Sequence, residues 1–216
     1  MFTGIIPAIG RIVKIKNTTR GRFITVEVDL KIVRKVLEGG SVSVDGVCLT
    51  AIDRSSAALY VPLKRGMKPR ATSPTITLTF ELMDFTLKRA TLGTRKIGQR
   101  VNVEPAMCAG QPIGGHFVSG HVDGVGRIKN VELRIKNNRI LKISVPGRLA
   151  RYFVPQGSVA VNGVSLTVVD VGDAWFSVAL TRYTAKHTNL GALRVGESVN
   201  IETDMFAKYI INFLNC

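Results

Sequence analysis

Acidic residues are scarce in this chain: 15 Asp and Glu stand against 30 Lys and Arg in 216 residues, a net charge of +15. A surplus of that size raises nucleic acid as a partner. The basic residues are scattered, however, from Lys14, Lys16, Arg20 and Arg22 through Lys64, Arg65, Lys68 and Arg70 to Arg194. No basic block, basic helix or stacking-aromatic motif gathers them, so a diffusely basic solvated surface is expected and no nucleic acid. Long apolar runs are missing as well. None approaches the roughly 18 uncharged residues that crossing a bilayer requires, so no membrane association is expected. The opening MFTGIIPAIGRIVKIK has no basic segment ahead of its apolar one, unlike an export signal. Cysteine is limited to Cys48, Cys108 and Cys216, which cannot all pair and lack the spacing of a zinc site or a C-x-x-C motif. Free thiols in a reducing compartment, the cytoplasm, fit best.

What the sequence does have is a sentence written twice. SVSVDGVCLT (41–50) and SVAVNGVSLT (158–167) agree at seven of ten positions, 117 residues apart. ATLGTRKIGQRVNVE (90–104) answers TNLGALRVGESVNIE (188–202), only 98 apart. The first copy therefore holds 19 extra residues, which fall around 59–75, where VPLKRGMKPRATSP reads as an extended loop. FTGIIPAIGRI (2–12) parallels VSGHVDGVGRI (118–128), so each copy opens on Thr-Gly or Ser-Gly and closes on VNVE or VNIE. Two domains follow, 1–107 and 108–203, with a tail at 204–216.

Within each copy the hydrophobic period is two. Ile24, Val26, Val28 and Leu30 alternate with Thr25, Glu27 and Asp29, and Ile76, Leu78, Phe80 and Leu82 alternate with Thr77, Thr79 and Glu81, as half-buried strands do. Short helices are expected at 32–37 and 148–153, and a hairpin turn at Asn137 and Asn138. Many short strands with regular turn signals imply small closed barrels, an all-β fold. The tail changes period: Phe206, Tyr209, Ile210, Phe213 and Leu214 mark one amphipathic helix over 204–215, with Asp204 as its N-terminal cap. Its apolar stripe fits either its own barrel or the same helix of another subunit.

The residues that break the repeat carry the chemistry, because symmetric folding needs cannot require them. Cys48 faces Ser165, Ile5 faces His121, and Ala106 faces Asp204. Singly, each has a plain structural reading: Cys48 as a small buried hydrophobe, Asp204 as a helix cap, Thr50 and Thr167 as strand residues with solvent-facing hydroxyls. His116 and His121, in the glycine-rich QPIGGHFVSGHVDG, have no Cys or Glu at ligand spacing. A turn histidine bonded to backbone is therefore expected there, not a metal site. Gly114, Gly115 and Gly120 read as backbone turns.

Taken together and in order, MFTGI, SVSVDGVCLT, GGHFVSGHVDG, SVAVNGVSLT and VNIETD resemble the riboflavin synthase family of the two-barrel type, over nearly the whole chain. The resemblance implies two homologous six-stranded Greek-key barrels with short helices and a C-terminal helix, each barrel holding one 6,7-dimethyl-8-ribityllumazine. One lumazine gives a four-carbon unit to the other, forming riboflavin and 5-amino-6-(ribitylamino)uracil, with no cofactor and no metal. It implies a homotrimer, in which the N-terminal barrel of one subunit faces the C-terminal barrel of the next, and association with lumazine synthase. Carried over residue by residue, Phe2, Thr3, Gly4, Ser41, Cys48 and Thr50 fall on the N-barrel site with Gly120 and His121; Ser165, Thr167 and Asp204 fall on the C-barrel side. In that assignment His121 shuttles a proton, Cys48 and Ser165 contact or activate the reacting ring, and Asp204 orients water or the partner ring. The hydroxyls of Ser41, Thr50 and Thr167 bind pteridine and ribityl oxygens.

Departures from the pattern are Phe85-Thr86 and Tyr183-Thr184 where many members carry Glu-Thr, Gln156 where some carry Lys, and a short C-terminal helix. Two other classes compete: the luminescence accessory proteins, which share the two-barrel fold, bind one chromophore and do not catalyse, and a nucleic-acid-binding barrel pair. Retention of Cys48, His116, His121 and Asp204 favours the enzyme.

Overall fold

The computed structural model describes residues 1–19, 21–56, 74–134 and 138–214. Strands β1 (Ala8–Thr18), β2 (Gly21–Asp29), β3 (Ser41–Val44), β4 (Val47–Ser56), β5 (Thr75–Met83) and β6 (Arg100–Pro105) close into a barrel in the order β1-β2-β5-β4-β3-β6. The second copy repeats it. Strands β7 (Gly124–Arg134), β8 (Asn138–Ser144), β9 (Ser158–Val161), β10 (Val164–Gly172), β11 (Trp175–Leu180) and β12 (Ser198–Thr203) close as β7-β8-β11-β10-β9-β12. The period-two pattern is realised directly, with Ile24, Val26 and Val28 inside the first barrel and Val164, Leu166 and Val168 inside the second. Each barrel bends its long strands with bulges, which sheet closure requires, and the bulges recur at matching places. They lie at Ile12/Lys14 and Ala51/Asp53 in one copy, and at Ile128/Asn130 and Val168/Asp170 in the other.

The short helices α1 (Leu30–Val33) and α3 (Gly147–Ala150) lie a little earlier than the sequence pattern places them. Helices α2 (Asp84–Arg89) and α4 (Arg182–His187) follow β5 and β11, the positions of the two aromatic-Thr departures. In the second copy two residues separate β10 from β11, whereas the first spends 57–74 on the same connection. Of that insertion residues 57–73 lie outside the described residues; Pro74 accepts from the Leu30 N–H, and Thr75 opens β5. β7 and β8 form the expected antiparallel hairpin, with Arg134 opposite Asn138, while Asn137 lies outside the described residues.

The repeated sentence has its reason where the barrels meet. The β3–β4 and β9–β10 hairpins each turn through a two-residue turn with both residues at positive φ, Asp45-Gly46 (48° and 80°) and Asn162-Gly163 (46° and 78°), the conformation that selects Asp-Gly and Asn-Gly. The two turns touch at a local two-fold axis. A Cβ on Gly46 would lie 2.6 Å from the Gly163 nitrogen, and one on Gly163 2.8 Å from the Gly46 nitrogen. Around this contact the buried amides interlock. The Asn200 side chain donates to the Asp45 carbonyl (2.7 Å) and the Asn102 side chain to the Asn162 carbonyl (2.9 Å). Asn189 donates through its side chain to Asp45 Oδ1 (2.7 Å). A buried polar group left unpaired costs about 1–3 kcal/mol, so these reciprocal bonds fix one docking of the barrels.

The C-terminal helix α5 (Met205–Leu214) is capped by Asp204, whose Oδ1 accepts from the Phe206 N–H at 2.9 Å. Its apolar stripe is not packed on its own barrel: Phe206, Tyr209, Ile210, Phe213 and Leu214 are 58–79% exposed.

Candidate functional site

Two short segments cross between the barrels, and each is held by a glutamate at the end of a barrel's last strand. On β6, Glu104 accepts from the Thr3 N–H and hydroxyl (both 2.7 Å) and from the Gly4 N–H (3.1 Å). On β12, Glu202 accepts from the Ser119 N–H (2.7 Å) and hydroxyl (2.6 Å) and from the Gly120 N–H (3.0 Å). Burial pushes both carboxyls above the ordinary range, and these hydrogen bonds pull them back. Phe2 and Val118 bridge the segments at the axis and are fully buried with Ala160. The Phe2 side chain is fully buried, and the Thr3 hydroxyl, which donates to Glu104, accepts from the Ile5 N–H at 3.2 Å.

Each segment then leans on the opposite barrel. The Gly4 carbonyl accepts from the Ser165 N–H, and the Gly120 carbonyl from the Cys48 N–H, both at 2.8 Å. Side chains on Gly4 or Gly120 would come within 2.6 Å of Ser165 Cβ or Cys48 Cβ, so only glycine permits the approach. The four residues singled out for chemistry thus fall into two groups. Cys48 and His121 line one pocket with Val47, Phe85, Thr86 and Arg89, about 190 Å³ in volume. Ser165 sits by Gly4, with Asp204 close enough that its charge is felt at His116.

Strand register places the hydroxyls. Ser41 opposes Thr50 and Ser43 opposes Cys48, so all four share the outer face of the first barrel; Ser165 and Thr167 occupy the same face of the second. Thr50 and Thr167 are exposed, while Cys48 is half-buried between the core residues Val47 and Leu49. His121 is exposed, its backbone N–H donating to the Ser119 hydroxyl at 3.1 Å.

Three residues here, Glu104, Glu202 and Asp123, were not singled out by the sequence, and at His116 the sequence predicts a backbone-bonded turn histidine. His116 does not bond to backbone through its ring; its Nδ1 lies 2.6 Å from Ser165 Oγ. Glu104 and Glu202 carry the crossing segments, and the signal for them was present: in VNVE and VNIE an Asn and a Glu alternate with core residues at identical places in both copies. Asp123 is the third, receiving the Thr203 N–H and hydroxyl (2.8 and 2.9 Å) and an ion pair from Lys208 (2.7 Å) that ties α5 to the second barrel.

At each departure from the Glu-Thr pattern an aromatic ring stands beside a basic group. Arg89 lies 4.3 Å over the Phe85 ring, and His187 stacks 4.0 Å from Tyr183. Gln156 adopts φ 66° in the turn before β9, a backbone conformation unusual outside glycine. Among the described residues no group of three His, Cys, Asp or Glu side chains is arranged to hold a metal ion.

The lumazine binding domain model matches the chain twice, at residues 3–106 and 119–204, one match per barrel. A riboflavin synthase of Actinobacillus pleuropneumoniae is 38% identical over 215 residues, covering 99% of this chain and 90% of the relative. Those of Mycobacterium bovis and Bacillus subtilis are 34% and 33% identical, over 97% and 100% of this chain and 96% and 90% of the relatives. Among solved structures, LumP complexed with 6,7-dimethyl-8-(1'-D-ribityl) lumazine shares the fold, with a TM-score of 0.75 at 22% identity over 94% of this chain and 99% of that one. LumP complexed with riboflavin gives 0.76 at 23%, with the same coverage. With both barrels matched and the relatives aligned over at least 90% of their own length, the chain belongs to the riboflavin synthase family.

Proposed function

We propose that the enzyme makes riboflavin by dismutating two molecules of 6,7-dimethyl-8-ribityllumazine, one held by the outer face of each barrel, with 5-amino-6-(ribitylamino)uracil as the second product. The observation that carries this reading is the combination of duplicated scaffold and unlike chemistry. The glutamate-held segments and the Gly4 and Gly120 contacts repeat, while Cys48 with His121 and Ser165 with Asp204 do not. Donor and acceptor are the same molecule, so their sites need the same shape and different reactivity. The 7-methyl protons of the lumazine are acidic because the anion delocalises into the ring, which leaves the protein to position the rings and move protons. His121 is the proton carrier at the first barrel, Cys48 and Ser165 face the reacting ring carbons, Asp204 orients water or the partner ring, and Ser41, Thr50 and Thr167 bind ring and ribityl oxygens.

The same reading makes the enzyme a cytoplasmic homotrimer. A pocket of about 190 Å³ beside Cys48 is smaller than the roughly 300–1,000 Å³ of a typical small-molecule site. A neighbouring subunit's C-terminal barrel laid on it would complete the enclosure, and the exposed stripe of α5 supplies an apolar surface for assembly.

The test is to incubate the purified enzyme with the lumazine alone and follow lumazine loss and riboflavin appearance. One riboflavin for every two lumazines consumed is expected. Tight binding with no riboflavin formed would make the chain a chromophore carrier.

A further inference from the structure

Ser165 and Cys48 occupy matching positions, yet their surroundings differ in one respect that the duplicated scaffold does not require. His121 shares a pocket with Cys48, but among the described residues no hydrogen bond joins a side chain to the thiol. Ser165 has a base in contact: His116 Nδ1 lies 2.6 Å from its Oγ. The contact is built from several sides. The His116 N–H donates to the Thr3 carbonyl (3.2 Å), and a Cβ on the preceding Gly115 would come within 2.2 Å of that carbonyl and 2.7 Å of Ser165 Cβ. The following residue, Phe117, packs edge-on against Phe206 of α5, with ring centroids 6.2 Å apart.

We propose that His116 acts through Ser165, giving a hydroxyl the reactivity that a thiol has without help, so that the second barrel's Ser165 works as the counterpart of Cys48. This rests on the dismutation reading above. A hydroxyl is a far weaker acid than a thiol and needs an adjacent base to react near neutrality. In the step, a C–H bond of the lumazine 7-methyl breaks and its proton joins Ser165 Oγ, while the proton Ser165 held passes to His116 Nδ1. The electron pair stays on the lumazine as its delocalised carbanion, and the imidazole becomes imidazolium. Reversal of the relay returns the proton later in the cycle.

The electrostatics fit both ends of this step. Burial lowers the His116 pKa below its ordinary value, so the ring is neutral and able to accept at pH 7; the charge of Asp204 opposes that shift and steadies the imidazolium once formed. Ser165 meets the ring without charge, and the ring's Nε2 is buried with no protein partner among the described residues. His116 is therefore a positioning residue for Ser165 whose protonation state matters.

The experiment is a double-mutant cycle in steady-state turnover with His116→Gln, Ser165→Cys and the pair together, with riboflavin binding measured by fluorescence quenching. H116Q should lower turnover about 100-fold, the lower range for loss of a general base, with riboflavin affinity within about threefold of wild type. In the S165C background the same change should cost less than about threefold, since the thiol needs no base. The pH profile gives an independent readout. Wild-type turnover should fall as pH drops through the depressed pKa of His116, and that limb should be missing in H116Q. Unchanged turnover in H116Q, an equal loss in both backgrounds, or an acid limb that survives the substitution would each overturn the proposal. Absence of riboflavin from the wild-type enzyme would instead overturn the dismutation reading.

Discussion

At the two-fold axis the first barrel uses an ion pair where the second uses an amide and a leucine. Asp45 is fully buried, with Arg95 at 2.7 Å; the matching positions are Asn162 and Leu193, which is buried in the core of its own barrel. The backbone turns are the same, and both side chains accept from a backbone N–H across a strand, Asp45 from Asn102 and Asn162 from Asn200, at 2.8 Å each. Geometry at this position thus demands an oxygen acceptor and a residue tolerant of positive φ, not a charge. The carboxylate comes with its cation, whereas in the second barrel a neutral amide takes the acceptor's place and a buried leucine the cation's. A buried ion pair is often no more stabilising than the apolar group that could replace it, although breaking it is costly.

The harshest way to break the equivalence of the barrels is at the axis itself. Gly163→Val places a side chain where the Gly46 backbone already lies and forces a β-branched residue to φ 78°. A loss of about 4 kcal/mol or more is expected in urea unfolding. Gly39→Ala, at φ 80° but with nothing within 4 Å of the added carbon, is the control and should cost about 1–2 kcal/mol.

Next in size is the ion pair. Arg95→Leu alone strands the Asp45 charge and should cost about 3–5 kcal/mol, whereas Asp45→Asn with Arg95→Leu, which copies the second barrel, should fall within about 1.5 kcal/mol of wild type. The double variant should also change the pH dependence. Burial raises the Asp45 pKa in the folded state, with Arg95 and the bonds from Asn102 and Asn189 acting against it. Stability from this group is therefore greatest at low pH and declines as pH rises through the folded pKa. That decline should be absent from denaturation curves of the double variant.

A smaller and more local effect separates the two glutamates. Glu104→Gln and Glu202→Gln should each cost about 1–3 kcal/mol, but at different reaction sites, since Glu104 holds Gly4 against Ser165 and Glu202 holds Gly120 against Cys48. Equal effects of the two on every kinetic constant would erase the distinction between the sites. Smallest is the aromatic pair: Arg89→Ala should change stability by less than about 1 kcal/mol, the worth of an exposed cation–π contact, while loosening Phe85 beside Cys48 enough to weaken riboflavin binding at the first barrel.

The barrels were legible because their rules are local and repeat. Alternation in Ile24 to Leu30 gives the strands, and the offset between copies gives the extra residues of the first. The contact between His116 and Ser165 was not legible, since it joins residues 49 apart through the crossing of segment 114–122, and no period in the sequence encodes a crossing. The sequence leaves the covering of α5 open between its own barrel and another subunit. Its stripe is plain in the sequence, but only the direction in which Asp204 and the Lys208–Asp123 ion pair launch the helix turns that stripe outward.

The exchange of segments between barrels also sets an order of assembly. The flank of Cys48 is closed by Gly120, and Gly120 is held by Glu202, which leaves the ribosome 98 residues after Glu104. At about 5–20 residues per second that is an interval of about 5–20 seconds. Throughout it the first barrel has its own strands complete and one side of β4 bare, and the last strand of the second barrel, β12, is the piece that seals the first.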